Sequence, residues 1–254
     1  MEDRLGVITK MNSQISSTDL LILIPAFNEE DALPDLLMDL RRYITNNIVV
    51  IDNNSTDQTA KVAEKCGATV IKEKQRGYGS ACKAGIDYAR SLPSQPSFIC
   101  FFDGDGQSKI SDIVKVFSYI KKTDSRYCQG SRMLLRKSRV RLSSPAIVAN
   151  TFFSKLCSFA YRQRLSDIGP LRIISSNLLY NLEMSTKGYG WTIEMTSKIL
   201  KAGILHSEIP VNYFERVKGK SKISGNVFTA IKAAIVMNVI FLKILLFWRP
   251  SIEL

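Results

Sequence analysis

The sequence predicts an α/β fold: a mainly parallel, doubly wound sheet flanked by helices. Short apolar runs of strand length alternate with stretches of helical periodicity along residues 20–130, which is typical of parallel sheets. Polar clusters directly follow three of these runs, at Pro25–Glu29, Asp52–Asp57 and Asp103–Gln107. Because ligands bind outside the carboxyl ends of the strands in such sheets, we expect the functional site at that edge. The length of 254 residues fits one domain, with or without an appendage.

The first strand is predicted at Leu20–Ile24, an unbroken apolar run that Pro25 closes. A loop then enters a helix whose N-cap is predicted to be Asn28, and the three acidic residues after it suit the positive end of the helix dipole. Leucines with helical spacing give this helix an apolar face: Leu33, Leu36, Leu37 and Leu40.

Further strands and helices follow in alternation, each with a recognisable boundary signal. Ser55 or Thr56 can cap the second helix, and Gly67 can stop it. The glycine-containing stretch Arg76–Ala81 opens the third helix. The predicted elements are strands at Ile48–Ile51, Ala68–Ile71, Phe98–Phe102 and Tyr127–Gln129, and helices that end at about Cys66, Arg90 and Lys121.

The strand at Phe98–Phe102 ends in two carboxylates one residue apart, Asp103 and Asp105, and the amide of Gln107 follows. Their oxygens are hard ligands of the kind that suits Mg²⁺ or Mn²⁺. These metals usually bind through one or two carboxylates together with the phosphates of a substrate. An ordinary Asp-Gly turn between strand and helix is the alternative. The matching polar clusters after the other strands favour the metal site.

Residues 131–223 differ from the preceding part of the chain in charge and in the pattern of predicted elements. Five basic residues and no acid lie between positions 132 and 141, which suits either a solvated charged surface or an anion-binding surface. Pro210 confines the strand predicted within Ile204–Tyr213 to a sheet edge. The remaining predictions are helices at 145–163, 175–184 and 191–202, a turn at Asp167–Arg172 and a basic loop at Arg216–Lys222.

The last segment, residues 224–254, is mainly an apolar stretch that reaches Trp248 and is interrupted by Asn238 and Lys243. It is shorter than the roughly 20 apolar residues of a spanning helix. We therefore expect a helix in the membrane interface, with Trp248 and Arg249 at headgroup level. An ordinary core helix is the alternative.

Composition narrows the choice of function. The net charge of +12 implies an anionic partner: nucleic acid, an anionic membrane or a phosphorylated substrate. Five cysteines without a CxxC pair indicate reduced thiols in a cytosolic setting. The single His206 excludes a His-rich metal site and disfavours a His-dependent triad. Residues 1–19 lack the apolar core of a secretory signal and are expected to form a flexible N-terminal segment.

Seven motifs, in order, carry a family resemblance: Pro25–Glu30, Asp52–Asp57, Arg76–Gly79, Asp103–Gln107, Gly130–Arg132, Trp191–Met195 and Arg216 with Lys222. Together they resemble a family 2 glycosyltransferase over residues 20–223, closest to the polyprenyl-phosphate glycosyltransferases such as dolichyl-phosphate mannose or glucose synthases. The resemblance implies a GT-A fold, a Rossmann-like α/β domain around a nucleotide-binding sheet. It also implies a nucleotide-sugar half at 20–130, an acceptor half at 131–223 and inverting transfer from a nucleotide sugar.

The resemblance also implies roles for individual residues. A Tyr often stands at the position of Phe27 in related enzymes, so a hydroxyl contact is lost there. The implied nucleotide-sugar ligands are Pro25, Phe27, Glu29, Asp52, Asp103 and Lys222. The implied metal ligands are Asp103, Asp105 and Gln107, and the implied acceptor-phosphate ligands are Arg132 with Arg139 or Arg141. Arg216 and Lys222 would close over the diphosphate, with Arg216 and Asp105 in catalytic roles.

The chemistry of the acceptor divides the candidate reactions. The alternative, a soluble or protein acceptor that reacts through a hydroxyl, needs a general base, for which Glu194 and, less favourably, Asp167 are candidates. A phosphate monoester is already anionic near neutrality and needs positive charge instead. The basic run at 132–141 and the apolar C-terminal segment favour polyprenyl phosphate at a membrane surface. We therefore expect a peripheral enzyme on the cytosolic face of a membrane, with a membrane protein or a second copy as a further candidate partner.

Two other classes of function are less well supported. A nucleic-acid-binding protein would suit the charge, but no RNA or DNA module is recognisable and the aromatic residues are not interleaved with the basic run. A dinucleotide-binding oxidoreductase would need a GxGxxG motif, and Cys82 stands where the last glycine after Gly77 and Gly79 belongs. We expect no nucleic-acid partner.

Overall fold

The computed structural model describes residues 19–44, 47–215 and 227–251. The N-terminal segment before Asp19, the predicted diphosphate ligands Arg216 and Lys222, and the rest of their loop lie outside these ranges. The described strands are β1 (Leu20–Ala26), β2 (Ile48–Asp52), β3 (Thr69–Lys72), β4 (Phe98–Phe101), β5 (Tyr127–Ser131), β6 (Arg172–Ser175) and β7 (Ser207–Pro210). The described helices are α1 (Leu33–Tyr43), α2 (Thr59–Lys65), α3 (Tyr78–Ser91), α4 (Ile110–Thr123), α5 (Arg136–Arg139), α6 (Ser144–Tyr161), α7 (Ser176–Asn181), α8 (Trp191–Lys201) and α9 (Val227–Leu246).

These strands form one sheet in the order β3-β2-β1-β4-β6-β5-β7. The pairs β3–β2, β2–β1, β1–β4 and β5–β7 are parallel, and β6 is antiparallel to both of its neighbours. The predicted mainly parallel sheet flanked by helices is therefore confirmed. Strand β4, which leads to Asp103, is the central strand of the sheet. Strand β7 lies at an edge, as Pro210 predicted.

Alternate residues of β1 enter two cores because successive side chains of a strand point to opposite faces. Ile22 and Ile24 pack with helices α1 and α4 on one face, and Leu21 and Leu23 pack with α3 and α8 on the other. The predicted apolar face of α1 is confirmed, since Leu33, Leu36, Leu37 and Leu40 are all buried.

Two helix starts and one turn were predicted wrongly. Helix α1 begins at Leu33, well after Asn28, which adopts a left-handed backbone with φ 53°. Helix α2 begins at Thr59, with no side-chain cap. The predicted turn ends at Arg172, where strand β6 begins. That strand has only two apolar residues, between Arg172 and Ser175, so its pattern is too short to identify from sequence.

Helix α9 packs against α8 with one face and leaves the other exposed. Phe241 is buried, and Lys201 of α8 donates to two carbonyl oxygens near the end of α9, each at 2.7 Å. The exposed apolar side chains have helical spacing: Ile235, Val239, Leu242 and Leu246. Among the described residues, none of the helices combines the length and apolarity that crossing a bilayer requires. Contact with a membrane remains a prediction.

Candidate active site

The loops that follow β1 and β2 form one hydrogen-bonded unit. Strand residues Ala26 and Asp52 are in register, so the two carboxyl ends lie side by side. The Asn28 backbone N–H donates to Ser55 Oγ at 3.0 Å, and the Thr56 N–H donates to Asn28 Oδ1 at 2.8 Å. Asn28, Ser55 and Thr56 therefore join two loops and do not cap helices.

A third loop, before α3, is attached to this unit through Asn53. The Gly77 N–H donates to Asn53 Oδ1 at 2.7 Å, and Asn53 Nδ2 donates to the Gln75 carbonyl at 2.8 Å. Arg76 of the same loop lies over the ring of Phe27, with its guanidinium carbon 3.9 Å from the ring centroid. The predicted base-pocket residue Phe27 thus has a cationic neighbour.

The other predicted nucleotide ligands line the same edge. Asp52 is buried, and its Oδ1 accepts the Ser55 N–H at 3.2 Å. Glu29 is also buried, and its backbone N–H donates to Thr59 Oγ1 at 2.9 Å. Pro25 is half-buried near the end of β1. The structure therefore places Pro25, Phe27, Glu29 and Asp52 at the neighbouring carboxyl ends of β1 and β2 and in the loop after β1, and their role in nucleotide binding stays a prediction.

The turn after β4 presents the predicted metal ligands. Asp103, Asp105 and Gln107 are all half-buried. The Tyr78 hydroxyl donates to Asp103 Oδ1 at 3.3 Å, and the Gln107 N–H donates to Asp105 Oδ1 at 3.0 Å. Burial, together with the charge of Asp103, raises the pKa of Tyr78, so its hydroxyl keeps the proton that it donates.

These residues fit a hard divalent cation by the chemistry of their oxygens. In the ranges the structure describes, no group of three or more His, Cys, Asp or Glu side chains is placed to hold a metal ion. Gln107 uses its amide nitrogen to donate to the Phe214 carbonyl at 3.1 Å, which turns its amide oxygen away from that carbonyl. Two carboxylates, an amide oxygen and diphosphate oxygens are a donor set that Mg²⁺ and Mn²⁺ accept.

The segment Val211–Phe214 connects this turn with the basic run. The Phe214 N–H donates back to the Gln107 carbonyl at 2.9 Å. On the other side, the Tyr213 N–H donates to Ser138 Oγ at 3.1 Å, and Arg141 donates to the Tyr213 carbonyl at 3.0 Å. The two predicted half-sites, for metal and for acceptor phosphate, therefore share one segment of backbone.

Buried Asp112 of α4 fixes the position of that segment. Its carboxylate accepts the Asn212 backbone N–H at 2.8 Å and the Asn212 side-chain amide at 3.0 Å. Lys115 pairs with the same carboxylate at 2.6 Å.

The predicted acceptor-phosphate ligands differ in their surroundings. Arg132 forms a bidentate pair with fully buried Asp167, at 2.9 and 2.8 Å. Burial alone would raise the pKa of Asp167, but the charge and hydrogen bonds of Arg132 outweigh it and lower that pKa. Arg132 therefore holds Asp167 as an anion. A carboxylate with a lowered pKa is a weak base, so Asp167 is poorly suited to act as the general base. Arg139 and Arg141 are exposed.

Glu194, the candidate base, is buried and bonded to several donors. Its carboxylate accepts the backbone N–H groups of Ser185 at 3.0 Å and Thr186 at 2.8 Å, and Lys198 pairs with it at 2.8 Å. Burial would raise its pKa, but the hydrogen bond and charge of Lys198 outweigh burial and lower the pKa. This geometry favours a structural role over proton abstraction.

Sequence reasoning did not identify Asn53, Arg76, Tyr78 or Tyr213 as site residues. Two signals were available for Tyr78: it stands between Gly77 and Gly79, and it follows a loop that opens a helix at the predicted edge of the sheet. No local pattern identifies Tyr213, because its role depends on contacts with residues more than seventy positions earlier.

Comparison with known proteins identifies the family of the chain. The model of the family "Glycosyl transferase family 2" matches residues 21–183. An uncharacterised glycosyltransferase of Mycobacterium tuberculosis is 31% identical over 209 residues, covering 81% of this chain and 89% of that protein. The dolichyl-phosphate hexose transferase of Haloferax volcanii is 26% identical over 212 residues, covering 81% and 86%. The crystal structure of Mycobacterium tuberculosis glucosyl-3-phosphoglycerate synthase with Mn²⁺, uridine diphosphate and phosphoglyceric acid has a TM-score of 0.68 at 15% identity, covering 95% and 84%.

Proposed function

The chain belongs to glycosyltransferase family 2, and we propose that it transfers a hexose, with inversion, from a nucleotide diphosphate sugar to polyprenyl or dolichyl phosphate at a membrane surface. The donor is of the GDP-mannose or UDP-glucose type. The observation that carries the proposal is the segment Val211–Phe214, whose backbone is bonded both to Gln107 and to the basic stretch at Ser138 and Arg141. A diphosphate donor and an anionic acceptor can therefore meet at one place.

The donor nucleotide binds at the loops that follow β1 and β2. Phe27 and Arg76 offer a flat apolar ring with a guanidinium over it, and Asp52 offers a carboxylate to a base or ribose donor. Hydrogen bonds among Asn28, Asn53 and their neighbours hold these loops in place before the donor arrives. Such preorganisation lowers the entropy cost of binding.

Asp103, Asp105 and Gln107 would hold Mn²⁺ or Mg²⁺ together with the diphosphate of the donor. When bound, the cation acts as a Lewis acid that stabilises the leaving diphosphate oxygen. Arg216 and Lys222 follow Phe214 closely in the sequence and add positive charge where it develops.

The acceptor is an anion that needs no base. Arg139 and Arg141 are exposed, Arg141 donates to the Tyr213 carbonyl at 3.0 Å, and the guanidinium carbon of Arg132 lies 5.4 Å from the Tyr213 ring centroid. A phosphate monoester attacks the anomeric carbon with its own oxygen, while these arginines offset its charge. Glu194 is engaged by Ser185, Thr186 and Lys198, which weighs against the alternative of a hydroxyl acceptor activated by Glu194.

The exposed apolar stripe of α9 suits a membrane interface. Val239 and Leu242 on that stripe are each about half exposed, and Lys243 beside them is exposed and cationic. The enzyme is then peripheral on the cytosolic face, where it reaches its lipid acceptor. A nucleic-acid-binding function remains a remote alternative suggested by the charge of +12.

The decisive experiment incubates the protein with Mn²⁺ and a panel of radiolabelled nucleotide sugars, and offers polyprenyl phosphate or phosphoglycerate as acceptor. The proposal expects label in the lipid phase from one nucleotide sugar. Label that appears only in phosphoglycerate would replace the lipid acceptor by a soluble one. Label in neither acceptor, with tight DNA binding that persists at high salt, would favour the nucleic-acid alternative.

A further inference from the structure

The side chain of Tyr78, at the start of α3, forms a hydrogen bond with the predicted metal turn. Its hydroxyl donates to Asp103 Oδ1 at 3.3 Å, across the gap between the N-terminus of α3 and the end of β4. The ring is fixed edge-on against Trp191, with centroids 5.8 Å apart. Trp191 in turn packs edge-on against Phe101, at 4.6 Å, in the strand that leads to Asp103. The ring of Tyr78 is thus fixed by Trp191, and its hydroxyl is fixed by Asp103.

The backbone around Tyr78 packs closely against Thr186 and Lys187. We call the segment Ser185–Lys187 the strap. The Lys187 carbonyl accepts the Ser80 backbone N–H at 3.0 Å. A Cβ on Gly77 would lie 2.1 Å from the Lys187 carbonyl oxygen, and one on Gly79 would lie 2.0 Å from that of Thr186. Only glycine on both sides of Tyr78 permits this close approach.

The strap is itself fixed by the buried pair of Glu194 and Lys198. Glu194 accepts the first two N–H groups of the strap, and Lys198 donates to the carbonyls of Leu182 at 2.8 Å and Glu183 at 3.0 Å just before it. One turn of α8 therefore carries both Trp191 and the carboxylate that holds the strap.

From these contacts we infer that Tyr78 is a positioning residue that orients the Asp103 carboxylate toward a bound cation and nucleotide diphosphate, and that the strap holds Tyr78 in place. This inference rests on the proposed function, because it takes Asp103 as part of a metal–diphosphate site. It gives Tyr78, within the Arg76–Ala81 motif, a role at the metal turn in addition to the contact of Arg76 with Phe27. Replacing a residue that hydrogen-bonds to a metal ligand typically weakens metal binding by about 10-fold to 100-fold.

The test measures binding of Mn²⁺ together with UDP or GDP by calorimetry, so that turnover is not the readout. Tyr78→Phe keeps the ring and removes the hydroxyl, and we expect about 10-fold weaker Mn²⁺-dependent nucleotide binding. Tyr88→Phe, on the same helix, is the matched control and should bind as the wild type does. Equal binding by the two variants would overturn the inference.

A second pair of variants tests the strap. Gly79→Ala places a methyl group where Thr186 lies, whereas Gly188→Ala meets no atom within 4 Å. We expect Gly79→Ala to lose Mn²⁺-dependent binding at least as strongly as Tyr78→Phe, and Gly188→Ala to retain it. If Gly79→Ala folds and binds normally, the strap does not position Tyr78. If the wild type itself binds neither nucleotide with Mn²⁺, the proposed function fails, which is distinct from failure of Tyr78 alone.

Discussion

Two loops of this enzyme are held in the same way, by a glutamate side chain that accepts two successive backbone N–H groups of the loop. Glu194 is buried, and Glu208 is partly buried. Glu194 holds Ser185 and Thr186, on the side of Tyr78 and Asp103. Glu208 holds Ser166 and Asp167, on the side of Arg132, at 2.8 and 3.0 Å. The difference between the loops lies in the remaining partner of each carboxylate.

Glu194 has a cationic partner, Lys198, whereas the remaining hydrogen-bond partner of Glu208 is the neutral amide of Gln129, at 3.0 Å. Burial raises the pKa of Glu208, and hydrogen bonds from Ser166 and Gln129 only partly oppose it. The pKa of Glu194 is lowered because its hydrogen bond and ion pair with Lys198 outweigh burial. Two carboxylates that accept the same kind of backbone donors therefore have pKa values shifted in opposite directions, and only the one with a cationic partner is stabilised as an anion.

The largest expected effect is on the loop held by Glu208. Asp167→Asn leaves Arg132, whose side chain is only 16% exposed, without its anionic partner. Loss of one member of a buried pair typically costs about 3–5 kcal/mol of unfolding free energy. Urea denaturation measures it. The double variant Arg132→Met/Asp167→Leu should recover part of the loss, and no recovery would mean that the pair matters through shape rather than charge.

An effect at the lower end of the same range is expected when Glu194 is made to resemble Glu208. Lys198→Met removes the cation of a buried pair and leaves two backbone carbonyls without their donor, at about 3 kcal/mol in total, because the Ser185 and Thr186 N–H groups still stabilise the carboxylate. Lys83→Met is the matched control: Lys83 and Asp87 have the same i,i+4 spacing, but their side chains are 52% and 55% exposed. Such exposed pairs contribute less than about 1 kcal/mol. Equal losses in the two variants would contradict the role given to burial.

The smallest effect is a pair of opposite pH dependences. Glu194 has a lowered pKa, so it contributes stability above its ordinary value of 4.5, and that contribution disappears as pH falls through the folded-state pKa. Glu208 has a raised pKa, so its charged form is penalised above the folded-state pKa and the penalty is relieved as pH falls toward 4.5.

Relative to the wild type, the destabilisation by Glu194→Gln should therefore shrink as the pH is lowered, and that by Glu208→Gln should grow. Denaturation of both variants between about pH 3 and about pH 7 measures the two slopes. Slopes of the same sign would contradict the comparison.

Much of the fold and of the donor side could be predicted from sequence, because local patterns encode them. The apolar strands, the leucine face of α1 and the polar clusters after β1, β2 and β4 all depend on residues that are close in the chain. The roles of Asn28 and Ser55 could not be predicted, since each residue is also a good helix cap and only tertiary contact decides between the two uses. Strand β6 was missed because a buried arginine begins it.

The acceptor side was harder to predict because its charges are paired over long distances. The basic run at 132–141 was evident, but nothing nearby indicates that Arg132 is bound by Asp167, 35 residues further on. Glu194 appeared as a candidate base because sequence does not reveal that Ser185, Thr186 and Lys198 surround it.

The most direct test of the account is Mn²⁺-dependent transfer of labelled sugar to polyprenyl phosphate by Asp105→Ala. Asp39→Ala, which removes an exposed carboxylate on α1, is the control. The account predicts that Asp105→Ala folds, keeps the wild-type unfolding free energy within about 1 kcal/mol, and loses transfer, while Asp39→Ala retains it. Transfer by Asp105→Ala at the wild-type rate would contradict the metal–diphosphate site.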